Sequence, residues 1–572
     1  MSSPPARSAW QRLAPGAATD SPALLAIDEY LADPSTAREL DTVELTGAYP
    51  RSLVAALHER GLVDLLAPAS ASTRRLCELH AITARRSGSL AITVGVSALA
   101  LLPLYLSGTA AQQERVTAAL RTGASAALLL SEWEHGSNLL RNAALARADA
   151  GGYRLTGTKQ LINGGREHDL LVALLRTGEP GVTDGLNALS LFLVHRDHTV
   201  QALPRWRTGP TRGADISGVR FVDTYVPADA LLGRPGTGFA QVQKTLMMSH
   251  AGIAALASGA VSGATEVAIA YARQRDVYGQ PIVTLGAIAE HLVRMTVLDT
   301  VVAATAVKAA CVVNVHGPGG GYLATVAKYL CPRLAEEAVT EGRQVLGARA
   351  LLDEHPYARY VRDVPLYAVF DGTSHVMLEN LSARLPRLRP ATSGVTTLAG
   401  TRECYSAGPH RIVDIARRGW RPYAPPLTQR CADLAQVSGC ARVAALDRMA
   451  HALHAVVQAA RARGVWALDQ ALRFSAAAAL TEIEALLALC ELVCPACRET
   501  VGVTSAGSVT DRARLDYATW WLGNRAVRRL QDLVEETGTS ATLVTELPRP
   551  APANEAREVL RAAVMGRHAA EA

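Results

Sequence analysis

Residues 218–239 read GVRFVDTYVPADALLGRPGTGF. The first ten, Gly218–Pro227, are a short apolar run with polar residues interleaved and glycine and proline at its ends, as strands are. Beyond Gly238 the texture changes, and apolar and small residues recur at helical spacing for long stretches. The segment is therefore the hand-over from a small sheet to a helical bundle. Working upstream, "LNALSLFLVH" (Leu186–His195), "DLLVALLRT" (Asp169–Thr177) and "GYRLTGTKQLINGG" (Gly152–Gly165) repeat the strand pattern back to about Ala126. Before it, the chain reads as helix broken at Pro50, Pro68 and Gly123.

These textures predict a mainly α protein with a small central β domain. The divisions are a flexible leader (1–24), an N-terminal helical domain (25–125), a middle β domain (126–236), a helical bundle with a catalytic loop (237–388), a linker (389–400) and a C-terminal helical extension (401–572). The composition is globular: of 572 residues, 49% are hydrophobic and 19% charged, and the low aromatic content with abundant alanine favours helix. The net charge of +6 is small for this length and gives no reason to expect nucleic acid. Lysine is confined to Lys159, Lys244, Lys308 and Lys328, so arginine carries nearly all the positive charge.

Two uncharged stretches, Ser89–Gly108 and Met247–Thr265, approach membrane-spanning length. Their many small residues suit close packing inside a bundle, so no transmembrane segment and a cytoplasmic protein are expected. Among nine cysteines, Cys494 and Cys497 form a lone CxxC with no second pair at zinc-site spacing. Cys490, Cys494 and Cys497 also share the i, i+4, i+7 spacing of a buried helical face, so core cysteines and no metal are expected.

One short stretch carries chemistry. Phe370–His375, "FDGTSH", follows an apolar run with a carboxylate, a glycine, two hydroxyls and an imidazole. Read alone it is either an ordinary Asp-Gly turn or a site in which Asp371 acts as a base.

The order of motifs resembles the acyl-CoA dehydrogenase superfamily over residues 25–388. "LLLSEWEHGSN" is similar to the family's Thr-Glu-Pro-x-x-Gly-Ser-Asp loop, and "GYRLTGTKQLINGG" to its Gly-x-Lys-x-Trp-Ile-Thr-Asn segment. The opening stretch matches the Val-x-Phe…Val-Pro…Leu-Gly…Gly-x-Gly-Phe passage. "YARQRDVYGQPI", "RQVLGARALLDEHPYARYVRD" and "FDGTSH" take the places of three further family motifs.

The resemblance implies FAD and a reaction in which a carboxylate removes the α-proton of an acyl thioester while hydride leaves the β-carbon. Asp371 matches that base. Ser131, Ser137, Ile162, Asn163, Arg275, Gln344, Gly347, Thr373 and His375 match cofactor-binding positions, Arg275 and Gln344 across a subunit boundary. Ser137, Ser249, His250 and Gly372 match the substrate side. The implied partners are an acyl thioester of CoA or acyl carrier protein, an electron acceptor (electron-transfer flavoprotein or O2), and further copies in a homodimer or homotetramer.

The pattern also departs from the family. Asp371 replaces the usual Glu, one methylene shorter, and about 1 Å of misplacement costs on the order of a hundredfold in rate. Leu161 stands for a Trp, Asn163 for a Thr, Ser249-His250 for a segment with Arg, and Gly286 for a Gln. These departures point to a specialised enzyme of secondary metabolism. Two rivals remain: oxidation at a nitrogen-bearing carbon or N-hydroxylation, and a non-catalytic DNA-associated flavoprotein.

The DNA reading would lean on the extension. From Ala391 onward it holds 21 Arg, no Lys and 18 acidic residues, with signs mixed as on solvated helices, and only "IARRGWRPY" clusters one sign. The extension is instead expected to pack on the core through Trp420, Trp466, Trp520 and Trp521, serving oligomer geometry or carrier docking.

Overall fold

The computed structural model describes residues 7–15, 21–178, 185–387, 389, 397–423, 425–503, 508–539, 547–548 and 552–566. In chain order a sheet separates the first helices from the long helical bundle. Its strands are β1 (Ala126–Leu129), β2 (Leu145–Asp149), β3 (Gly152–Asn163), β4 (Leu170–Arg176), β5 (Leu189–His195), β6 (Val200–Ala202), β7 (Ile216–Pro227) and β8 (Leu231–Leu232). They run in the order β6-β7-β3-β2-β4-β5-β8, with β1 added beside β4. β3 and β7, twelve residues each, pair antiparallel with two register shifts, and the one between Gln160 and Ile162 leaves Leu161 as the extra residue.

The sheet hands over to the central helix Gly238–Gln274, followed by a second helix, Gly286–His316, and a third, Gly321–Leu346. The central helix is rich in small residues because it lies against the helix Thr73–Ala84 at backbone contact. A Cβ on Gly259 would sit 2.2 Å from the Ala81 carbonyl, and one on Gly263 would sit 2.2 Å from the Arg85 carbonyl. Three stretches are long and apolar enough to span a membrane by length and composition: Gly88–Ser107, Gly238–Gln274 and Gly286–Leu351. In the fold they form the buried centre of the bundle, at 78%, 78% and 100% burial of their apolar windows.

Three local expectations are corrected. Within the presumed flexible leader, Ala9–Leu13 is a helix opened by a Ser8–Gln11 capping box, and its Trp10 is buried against the bundle. Most of the expected linker lies outside the described residues, but helix Leu398–Ser406 has already begun before residue 401. Cys490, Cys494 and Cys497 do not share one helix: helix Gln470–Val493 ends at Cys494, and Pro495 opens a new one, Pro495–Thr500.

The extension packs on the core through buried polar contacts as well as apolar ones. Lys308 of the second helix forms a 2.7 Å ion pair with Glu491 of helix Gln470–Val493, both side chains 3% exposed. The Tyr322 hydroxyl donates to Glu484 Oε1 at 2.8 Å, and Arg430 Nη1 donates to Glu484 Oε2 at 2.9 Å. Arg525 reaches from helix Val509–Thr537 to Glu337 of the third helix at 2.8 Å. Trp466 is buried and Trp520 and Trp521 pack against the core, while Lys244 lies 4.4 Å over the Trp420 ring.

Candidate active site

Asp371 lies between a 3₁₀ segment, Val364–Ala368, and the helix Ser374–Ser382. The segment is fixed from below by Lys328, a fully buried lysine of the third helix, whose Nζ donates to the Tyr367 carbonyl at 2.7 Å. The same ammonium lies 5.6 Å from the centre of the Phe370 ring. Asp371 and Gly372 then take φ values of +54° and +101°, two successive left-handed residues. Glycine adopts this freely and aspartate better than most, so the turn chemistry and the placement of a carboxylate come from the same two residues.

The central helix supplies the partners. Ser249 Oγ donates to Asp371 Oδ2 at 3.0 Å, and His250 Nε2 lies 3.2 Å from the Asp371 carbonyl oxygen. A carbonyl only accepts, so His250 carries its proton on Nε2 and leaves Nδ1 as a lone pair. That Nδ1 is buried with no partner among the described residues. Burial, reinforced by the charge of Lys328, pushes His250 down to about 3, so the ring is neutral. Thr245 Oγ1, one turn earlier on the same helix, is buried and unpartnered too.

Burial raises the Asp371 carboxylate above its ordinary value, while the Ser249 hydrogen bond and the Lys328 charge pull the other way. Lys328 is itself pushed down to about 8 by burial, against the attraction of Asp371. The result is a carboxylate strengthened as a base and held in one orientation. The Asp371 backbone N–H makes no backbone hydrogen bond among the described residues.

The loop after β1 carries Ser131 and Ser137. It is clamped by Glu132, whose carboxylate accepts from the backbone N–H of Ala143 and Ala144 at 2.7 and 2.9 Å and pairs with buried Lys159 at 2.9 Å. Ser131 is partly buried and Ser137 exposed. On β3, the bulged Leu161 has φ +57° and is 53% exposed, while Ile162 is buried. Asn163 Nδ2 donates to the Ile92 carbonyl at 3.2 Å, and its Oδ1 is buried without a partner. Thr373 occupies the N-cap of Ser374–Ser382, yet its side chain makes no capping bond. His375 is exposed, its ring 6.1 Å from Phe474 of the extension.

Asp371, Ser249, His250 and Gly372 are therefore brought together. Arg275, Gln344 and Gly347 are exposed, and neither Arg275 nor Gln344 makes a side-chain hydrogen bond among the described residues. Lys328, Thr245 and the Glu132–Lys159 pair escaped the sequence reading. A signal was present for Lys328, which sits in the largely apolar run "LATVAKYL" of a chain with only four lysines.

The family described as acyl-CoA dehydrogenase, middle domain, matches residues 127–224, and acyl-CoA dehydrogenase, C-terminal domain, matches residues 236–385. Probable acyl-CoA dehydrogenase FadE25 of Mycobacterium tuberculosis is 27% identical over 367 residues, covering 62% of this chain and 93% of that protein. The chain belongs to the acyl-CoA dehydrogenase superfamily.

Two solved structures show how far the fold extends. Butyryl-CoA dehydrogenase of Megasphaera elsdenii superposes with TM-score 0.58 at 23% identity, covering 62% of this chain and 95% of that one. An acyl-CoA dehydrogenase complexed with FAD from Bacillus anthracis gives 0.78 at 17% identity, covering 98% and 97%. The extension is thus part of a whole-chain fold that a known structure shares.

Proposed function

We propose that the protein is an FAD-dependent dehydrogenase of an acyl thioester, with Asp371 as the base. The observation that carries this reading is the Asp371 carboxylate, raised by burial and oriented by Ser249 on a doubly left-handed turn.

The residues present fit a flavin. Asn163 offers a buried, unpartnered Oδ1, Thr373 a side chain not spent on capping, and the bulge at Leu161 an exposed apolar face. With Ser131, Ser137 and Ile162 these would hold the ring system and its chain. Arg275, Gln344 and Gly347 point outward, which suits the phosphates of a cofactor shared with a second copy in a homo-oligomer. Bound there, FAD supplies the acceptor for the hydride that leaves the β-carbon.

The remaining work falls to the chain. Ser249 occupies Asp371 Oδ2, so Oδ1 takes the α-proton. The uncommitted Asp371 N–H is available to the thioester oxygen, where charge develops as the proton leaves. Neutral His250 holds the carbonyl of the same residue and so fixes the peptide that carries both functions. The substrate is a thioester of CoA or of a carrier protein, and the shortened base suits a specialised pathway. Electrons would pass to an electron-transfer flavoprotein or to O2.

Anaerobic mixing with a panel of CoA- and carrier-bound acyl thioesters, followed at the flavin absorbance, tests this. Bleaching by at least one thioester supports it. Bleaching by nitroethane and by no thioester would replace it with oxidation at a nitrogen-bearing carbon. A protein that neither carries FAD nor takes it up would remove both.

A further inference from the structure

Three of the nine cysteines bring their sulfurs together. Cys440, Cys494 and Cys497 place their sulfurs within 4.8 Å of one another, all three buried at 7%, 5% and 0% exposure. They come from separate elements. Cys440 is the N-cap of helix Ala441–Ala462, Cys494 closes helix Gln470–Val493, and Cys497 lies on the short helix behind it. Cys440 and Cys494 are 54 residues apart in sequence, which is why the CxxC looked solitary.

The spacing is that of a metal's coordination shell. Sulfurs at two corners of a zinc tetrahedron, each about 2.3 Å from the ion, stand about 3.8 Å apart. Cys440 Sγ and Cys494 Sγ are 3.7 Å apart. A fourth donor is adjacent: Ser438 Oγ is 3.8 Å from Cys497 Sγ and accepts the Cys440 backbone N–H at 3.2 Å. Soft thiolates select ions such as zinc, and the burial of all three sulfurs suits a structural site more than a catalytic one.

We propose that Cys440, Cys494 and Cys497 bind one zinc ion as thiolates, with the Ser438 hydroxyl or a water as fourth ligand. Each thiol releases its proton to solvent on binding, and no electron is transferred. The ion joins the start of one extension helix to the corner between two others. It fastens the extension itself and stands apart from the Asp371 chemistry.

Elemental analysis of the purified full-length protein under reducing conditions should find one zinc per chain. Cys440→Ser and Cys497→Ser should each lower this to less than about a tenth. If those variants fail to fold, the wild type decides. After removal of metal by a chelator, added cobalt(II) should produce thiolate-to-cobalt charge-transfer absorption at one equivalent, and the melting temperature should fall on removal and recover with zinc. Several results would overturn the proposal: no metal bound after reconstitution with all three thiols free, a Cys440–Cys494 disulfide found by mass, or zinc unaffected by both substitutions. Copper(I) in its place would overturn the tetrahedral assignment.

Discussion

The Asp371 pocket and the seam between core and extension are both buried and both polar, yet their charged groups are differently placed. At the seam, Lys308 meets Glu491 and Tyr322 meets Glu484 across elements far apart in sequence, and Arg430 of the extension also holds Glu484. At the pocket, Thr245 Oγ1 and His250 Nδ1, on the helix that carries Ser249, are buried and unpartnered among the described residues. An unsatisfied buried polar group costs about 1–3 kcal/mol, so two on the helix that holds the Asp371 carboxylate fit a site completed by a ligand. The contrast separates polar groups that fold the chain from those kept for binding.

The strongest way to break the comparison is to remove the seam. Deleting the residues after Gly400 strips Lys308 and Tyr322 of their partners and exposes the apolar faces beneath. The truncated chain should not accumulate as soluble protein. The single substitution Glu491→Ala leaves an unpaired buried ammonium and should lower unfolding free energy by about 3–5 kcal/mol in urea titration. A soluble, stable truncated core would show that the extension is an accessory.

At the pocket the expectation is reversed. Asp371→Asn keeps the shape and should keep FAD, but turnover should fall by about 10³-fold. Unchanged turnover would place the base elsewhere. Ser249→Ala is a milder test of the same carboxylate, with an expected loss of about tenfold. The Ser249 bond lowers the Asp371 pKa, so losing it raises the pKa further and moves the acid limb of kcat/KM to higher pH. A limb that stays in place would mean that Ser249 acts only in packing.

A smaller effect tests a third kind of buried group. Asp363 Oδ1 accepts the Thr211 N–H at 2.6 Å while Oδ2 has no partner, and burial, reinforced by the charge of Glu44, pushes its pKa to about 8. The folded protein therefore keeps a proton that the unfolded chain loses near pH 4. From this group, stability is greatest below about pH 4 and falls as pH rises to about 8. Asp363→Asn should make the fall in melting temperature over that window shallower. An unaltered slope would assign the ionised form to the folded state. The smallest effect expected is none: random duplex DNA at micromolar concentration should not bind, and salt-sensitive binding lost with the extension would revive the DNA reading.

Linear patterns settled much of this. The strand-to-helix change near Gly238, the order of six motifs and the placement of Asp371 before glycine and threonine are each written within a few consecutive residues. Small residues between Met247 and Thr265 foretold close packing, and Gly259 and Gly263 show it at backbone distance. The expected flexible leader is instead helical at Ala9–Leu13 because Trp10 is buried where that helix packs on Gly286–His316, hundreds of residues away, which no local pattern records.

What the sequence determined alone was the family, the succession of helical and β regions, and the identity of the candidate base, because periodicity and short motifs are local properties. Only the tertiary structure decided that Lys328 lies beneath Asp371, that His250 holds its carbonyl, and that Cys440 joins a CxxC 54 residues away. Those facts depend on which faces of distant helices meet. Burial then turns each meeting into chemistry, by moving a pKa, fixing a tautomer or gathering ligands in a low-dielectric interior.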